Sequence, residues 1–350
     1  MVAEIKINTY YILLVGSTKT RRRTEQMRHY DRFYSFLLVM FYFSFLSVNA
    51  GYSDEDIKDQ YPQNPLYSKP VEVIPNVWTA IGASGPPTYE NTGHNNNLSF
   101  IVTGEGVVVI NSGASASLAQ ALHEEIKQIT RQPVVLVINE NGQGHAMLGN
   151  SYWQDQGVSI IAHEDAVHEF NENGAQILER MQNYNQEKAE GTRLASPTNT
   201  FSEKHIISLG NKVIEVLYLG PAHSPGDVSV WLPSDKLIIA GDMAFHERLL
   251  PIFPETNTAE WLETWDNEFE KLQAVYVIPG HGHPTNMAQV RRYTRDYLVF
   301  LRGKISDFLD EGGELQDAYY VDQSPFSHLN TFDELATRNA GRVYEEMEFE

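Results

Sequence analysis

INENGQGHAMLGN, residues 138–150, stands where the apolar run PVVLVIN (residues 133–139) gives way to a helical stretch. A β-branched run entered through Pro133 and left through Asn-Gly reads as a buried strand opening into a polar loop. The loop carries Asn141, Gln143 and His145 and closes on Leu148-Gly149-Asn150. Three later loops repeat the arrangement of apolar strand followed by polar residues: GPAHSPGDVSVW (220–231), IAGDMAF (239–245) and IPGHGHP (278–284). Each places one potential ligand just past its strand, His223, Asp242 and His281 respectively. Loops leaving the ends of neighbouring strands can converge on one site across large sequence separations. Two imidazoles and one carboxylate held in this way suit zinc, iron or manganese.

Outward from these loops the chain alternates strand and helix signals. VEVIP, VWTAIGA and NLSFIVTGEGVVVINSG open the pattern, the last a hairpin turned by Thr-Gly-Glu-Gly. A helix is expected over 115–130, where Leu118, Leu122, Ile126 and Ile129 recur at near-helical spacing. VSIIAH, a long polar helix over 164–190, the meander KHIISLG-NKVIEVLYLG and the pair DVSVWLPSDKLIIAGD follow. Helix TAEWLETWDNEFEKLQ, strand AVYVIP and a helix over 286–309 complete the pattern. Two β-rich halves, each closed by helices, predict an α+β fold of two sheets face to face with helices outside.

The N-terminus reads differently. From Met27 a basic segment (Arg28, Arg32) precedes an apolar run over 33–46 and small residues at Val48 and Ala50. This is the layout of a secretory signal peptide at 27–50, cleaved after Ala50, with residues 1–26 an upstream extension and translation starting at Met27. A retained single-span anchor is the alternative, the run being near the lower length limit for one. The expected organisation continues with a linker over 51–70, the main domain over 71–310 and a helical tail over 311–350. A periplasmic or secreted location follows, with no stable membrane anchor after cleavage.

The whole chain has 46 acidic and 26 basic side chains, a formal charge of −20. Met1 to Ala50 holds seven basic and three acidic residues, so the mature chain stands at −24. Such a surface repels polyanions, and no basic stripe is present, which argues against nucleic-acid binding. The absence of cysteine excludes disulfides, thiolate ligands and cysteine nucleophiles. A small-molecule substrate is the expected partner.

The order and flanking residues of the four loops resemble those of the metallo-β-lactamase superfamily, over about residues 71–288. The resemblance implies an αββα four-layer sandwich of two mixed sheets. In that family the first loop reads H-x-H-x-D-H-x-x-G-N and supplies ligands to two metals. Its four ligand positions correspond to Asn141, Gln143, His145 and Ala146. The third histidine of the first metal corresponds to His223, the bridging aspartate to Asp242 and the last histidine of the second metal to His281. A buried aspartate of an earlier L-I-D-T-G loop corresponds to Asn111, in VINSG.

The implied ligand set is therefore half kept. Asn141 and Gln143 offer only neutral amides to the first site, whereas His145, Asp242 and His281, with His223 beside them, can hold one divalent ion, zinc before iron or manganese. Replacing a carboxylate by His145 and another by Asn111 removes negative charge and fits one dication better than two. On this reading the chain is a metallo-hydrolase in which the ion activates water against an ester, lactone or amide. Asn141 and Gln143 would donate hydrogen bonds to the substrate or developing oxyanion. The competing reading is a metal-free binding or accessory protein that kept the fold and lost the chemistry.

Other polar residues have blander readings. His283 could be a stand-in ligand and His94 could reach the site mouth, but loop histidines commonly serve structure. His163 is expected to cap or pack, His123 and His205 to lie in helix and strand, and Asp227 to tie its loop. WLETWDNEF is expected to be a buried helix face, and the polar segment around 172–191 a solvated helix or a lid.

Overall fold

The computed structural model describes Asp59 and residues 61–350. The expected upstream extension and signal peptide lie outside the described residues.

The first sheet contains seven strands in sequential order: β1 (Val71–Ile74), β2 (Val77–Ala80), β3 (Leu98–Val102), β4 (Val107–Ile110), β5 (Val134–Ile138), β6 (Ser159–His163) and β7 (Asn199–Phe201). Pairing is antiparallel from β1 to β4 and parallel from β4 to β7. The second sheet has five strands, β8 (Lys204–Leu209), β9 (Lys212–Leu217), β10 (Ser229–Leu232), β11 (Leu237–Phe245) and β12 (Tyr276–His281). Only the β11–β12 pair in it is parallel.

Strand side chains alternate between faces, so even a fully buried strand serves two cores. In β4, Val108 and Ile110 meet Ile214, Val216, Val230 and Leu237 of the other sheet. Val107 and Val109 point the other way, onto Leu118, Leu122 and Ile126 of helix α1 (Ala116–Ile129). Ser115 caps that helix by accepting from the Leu118 N–H, which agrees with the start expected from the sequence to within one residue. Ile238 and Ala240 of β11 likewise face outward, onto Trp261, Trp265 and Phe269. The two mixed sheets thus share an inner core and carry helices on both outer faces, the αββα sandwich.

Three segments depart from their expected form in detail. The 164–190 stretch is α4 (Glu164–Asn185) closed by a short 3-10 turn; its Phe170, Ile177 and Met181 pack on Ala146, Met147 and Leu148, so one face covers the 138–150 loop. The tryptophan-rich helix begins as α5 (Thr258–Thr264) and continues as a π-turn over Trp265–Phe269. The 286–309 helix divides at Thr294 into α6 (Met287–Tyr293) and α7 (Arg295–Asp310), because Thr294 Oγ1 accepts from the Phe245 N–H.

Both flanks of the expected 71–310 domain join the cores. Leu66 is fully buried under the first sheet, and Ser68 exchanges hydrogen bonds with Ile81. Between 311 and 350, α8 (Leu315–Ala318) and α9 (Phe332–Met347) bring Ala318, Ala336, Ala340, Val343 and Tyr344 into the outer core of the second sheet. Asn339 accepts from the Ile252 N–H and donates to the Leu250 carbonyl and Tyr297 hydroxyl. Among the described residues no helix is long and apolar enough to cross a membrane.

Candidate metal centre

The opening loop is held at both ends. Asn139 and Asn150 exchange side-chain hydrogen bonds, Asn139 also donates to the Ala146 carbonyl, and Asn150 to that of Ala195. Gly149 lies so close to the Ser112 carbonyl that no Cβ fits there. These contacts explain Leu-Gly-Asn physically: the glycine permits the approach and the asparagine ties the loop base. Inside, α2 (Gly144–Met147) is a single turn that carries His145, and α3 (Asn150–Asp155) follows. Asn111 accepts from the Glu140 N–H at 3.1 Å, so the amide in the place of the family's aspartate steadies the loop from β4.

At the centre is Asp242, buried on β11 where the pairing with β12 slips around Gly241. Its Oδ2 lies 3.5 Å from His145 Nε2 and 3.6 Å from His223 Nδ1, and accepts from Asn141 Nδ2 at 3.2 Å. Its Oδ1 lies 3.3 Å from His281 Nε2. Gln143 Nε2 contacts His223 Nδ1 at 3.1 Å. The fold therefore gathers all six site residues expected from the sequence around one carboxylate.

Glu140 is the addition. Its Oε1 lies 3.1 Å from His145 Nε2, and Glu140, His145 and Asp242 form a three-residue group able to hold a metal ion. The carboxylate that His145 replaces at its motif position thus has a counterpart in Glu140, two residues past β5. Gly241, at φ +60°, leaves the space Glu140 Oε2 occupies; any Cβ there would collide with it. The Asn141 amide donates to Asp242 and the Gln143 amide contacts His223, so both side chains lie within the site. His281 sits on the far oxygen of Asp242, outside the three-residue group.

Burial would raise the Asp242 carboxyl, but the imidazoles of His145, His281 and His223 hold it well below the ordinary range. Glu140 is raised by burial and by Asp242 beside it. Burial opposes charge on His145, yet Asp242 and Glu140 outweigh it and hold its pKa above the usual imidazole value. His223 and His281 are pushed down to about 4, each chiefly by burial, and so remain neutral ligands-in-waiting near neutrality. A carbonyl 2.5 Å from His281 Nδ1, that of Asn95, requires the proton on that nitrogen and turns the Nε2 lone pair toward Asp242.

This donor set fits an ion. Metal bonds of about 2.1 Å meeting at tetrahedral angles separate neighbouring donors by roughly 3.4 Å, the range spanned by the contacts at His145. Asp242 Oδ1 and His223 Nε2 are buried with no hydrogen-bond partner. A lone pair and a carboxylate oxygen facing each other at 3.3 Å also call for positive charge between them.

The remaining candidates fall outside the centre. His94 is fully buried, with Nδ1 accepting from the Tyr67 N–H at 2.8 Å. His283 pairs with Glu247 at 2.7 Å. His163 caps α4 and stacks on Tyr218. Asp227 accepts from both the N–H and the hydroxyl of Ser224, tying its loop.

A family model, the metallo-beta-lactamase superfamily, matches residues 145–283, which include four of the six site residues, His145, His223, Asp242 and His281. Over that stretch the chain is similar to the metallo-β-lactamase superfamily. Among superfamily relatives, the type 2 metallo-beta-lactamase of Bacteroides fragilis is 23% identical over 193 residues, 52% of this chain and 70% of that protein. An acyl-coenzyme A thioesterase of Gallus gallus, MBLAC2, is 22% identical over 105 residues, 29% of this chain and 38% of its own. Of solved structures, the metallo-beta-lactamase from Pontibacter korlensis superposes with TM-score 0.53 at 20% identity, covering 63% of this chain and 94% of that one. The inverting sec-alkylsulfatase Pisa1 from Pseudomonas sp. superposes with TM-score 0.61 at 18% identity, covering 81% and 52%. These structural likenesses establish the superfamily fold, and the named relatives are hydrolases.

Proposed function

We propose that this chain is an exported metallo-hydrolase that works with one divalent ion, most simply zinc, held by Glu140, His145 and Asp242 with His281 and His223 alongside. The observation that carries the proposal is the convergence of two buried carboxylates on one imidazole at metal-ligand separations. Two carboxylates also balance one dication. When bound, the ion would polarise a carbonyl and lower the pKa of water, the chemistry of ester, thioester, lactone or amide hydrolysis.

The chain's own groups have definable tasks. Asp242 and Glu140 hold His145 between them and fix which ring nitrogen faces the centre. Asn141 restrains the Asp242 carboxylate through Oδ2, and Gln143 restrains His223. Glu169 of α4 packs against Gly142, between the two amides, and burial together with the Glu255 carboxylate pushes it up to about 7. It therefore keeps its proton near neutrality and can give it to a leaving group.

A panel of ester, thioester, lactone and amide substrates, assayed with and without chelator and after zinc is restored, tests the proposal. Hydrolysis of at least one class should be abolished by chelation, restored by zinc and absent from Asp242→Ala. Turnover unaffected by chelation would contradict it.

The metal-free binding protein is the second reading, favoured by one observation: the buried Glu140 and Asp242 carboxylates already share His145 as a polar partner without an ion. Failure of any substrate class to turn over, with no ion retained, would support that reading instead. Export is tested separately by the mass of the mature protein, which should begin at Gly51.

A further inference from the structure

Arg248, three residues past the end of β11, is a cation buried beside this centre. It is only 6% exposed, and its Nη1 lies 3.2 Å from His281 Nδ1. That nitrogen already gives its proton to the Asn95 carbonyl, so the guanidinium stands against the ring as a neighbouring charge. Among the described residues no carboxylate oxygen lies within 4.0 Å of Arg248, and its Nε has no hydrogen-bond partner. A buried arginine without a carboxylate of its own must be offset by more distant negative charge. Asp242 supplies part of that charge, and Glu334 adds to it.

The backbone leaves Arg248 little freedom. It pairs with Asn330 in an isolated parallel bridge, flanked by Leu249 N–H to Asn330 carbonyl at 2.8 Å and Asn330 N–H to Glu247 carbonyl at 3.1 Å. The C-terminal segment thus clamps the arginine in place.

We propose that Arg248 is a resident cation on the His281 side of the centre and that its fixed charge restricts the site to a single divalent ion. The inference rests on the single-ion reading above. A second ion in this fold would draw on His281 Nε2 and the free Asp242 Oδ1, which lie 3.3 Å apart. One imidazole ring would then separate it from the guanidinium. Glu140 and Asp242 carry two negative charges, already matched by one dication; Arg248 brings these groups and the ion to +1, offset in part by the more distant Glu334, before a second dication arrives. In a buried setting, where charges interact several-fold more strongly than in water, that repulsion is strong enough to weaken a second ion by roughly a hundredfold or more. The loss of Asn141 and Gln143 as ligands removes one set of donors; Arg248 closes the other position by charge.

The test is zinc per chain, by elemental analysis after loading with excess zinc and gel filtration, together with calorimetric zinc titration. Wild type, Arg248→Lys and Arg248→Met are compared, with circular dichroism to show that each is folded. Wild type and Arg248→Lys should hold one zinc, and Arg248→Met should take up a second at least about a hundredfold more tightly than wild type. If Arg248→Met does not fold, Arg248→Gln is read in its place. Two zinc ions in wild type or Arg248→Lys, or a single zinc in the neutral variant, would overturn the inference. No zinc in the wild type would instead overturn the single-ion reading, and the inference with it.

Discussion

At the scale of single residues, the site is a redistribution of charge around Asp242. An acid lost from the expected ligand position at His145 reappears at Glu140, five residues earlier, and Gly241 on the facing strand leaves the space for it. The residues His145, His223, Asp242 and His281 were legible because each follows an apolar strand in a recognisable loop. Glu140 is not, because the family's motif has its ligands at positions 141, 143, 145 and 146; its signal is being the only carboxylate between Ile138 and Asn150. Arg248 had no local signal, since its approach to His281 depends on the chain some eighty residues later. Glu169 gives the sharpest test at this scale. Its acid form is lost as pH rises through about 7, so wild-type turnover should fall on the alkaline side. Glu169→Gln should turn over about a hundredfold more slowly and lose that alkaline limb. An unchanged pH–rate profile in the variant would remove Glu169 from the chemistry.

At the scale of elements, the loops rather than the strands carry the precision. Strand existence follows from β-branched runs, and the two-residue alternation within β4 and β11 assigns each side chain to an inner or outer core. The break at Thr294 and the π-turn at Trp265–Phe269 were not legible from periodicity, because a tertiary hydrogen bond decides the first. For the π-turn the structure shows no cause. The 138–150 loop depends on the Asn139–Asn150 pair at its base. Asn150→Ala would leave the buried Asn139 amide and the Ala195 carbonyl short of partners, and should cost about 2–3 kcal/mol in urea denaturation. A loss below about 0.5 kcal/mol would show that the pair does not hold the loop.

At the scale of the molecule, the 311–350 segment expected as a tail is part of the second sheet's outer layer. Its sequence gave the helix but not its destination, because Ala336, Ala340 and Val343 form a small-residue stripe that reads equally well as a weakly amphipathic surface helix. In the structure it buries that stripe, anchors residues 250–252 through Asn339 and clamps Arg248 through Asn330. Truncation after Leu329 should therefore abolish cooperative thermal unfolding of the whole domain. A truncated chain that still melts in one sharp transition would show the segment to be dispensable.

The proposed site stands or falls with Glu140, His145 and Asp242 meeting on one ion. The most direct measurement is an anomalous difference map at the zinc absorption edge from crystals of zinc-loaded protein. One peak is expected, about 2.0–2.2 Å from a ligand atom of each of the three residues. No peak at the centre, or a peak coordinated without Glu140, would contradict it.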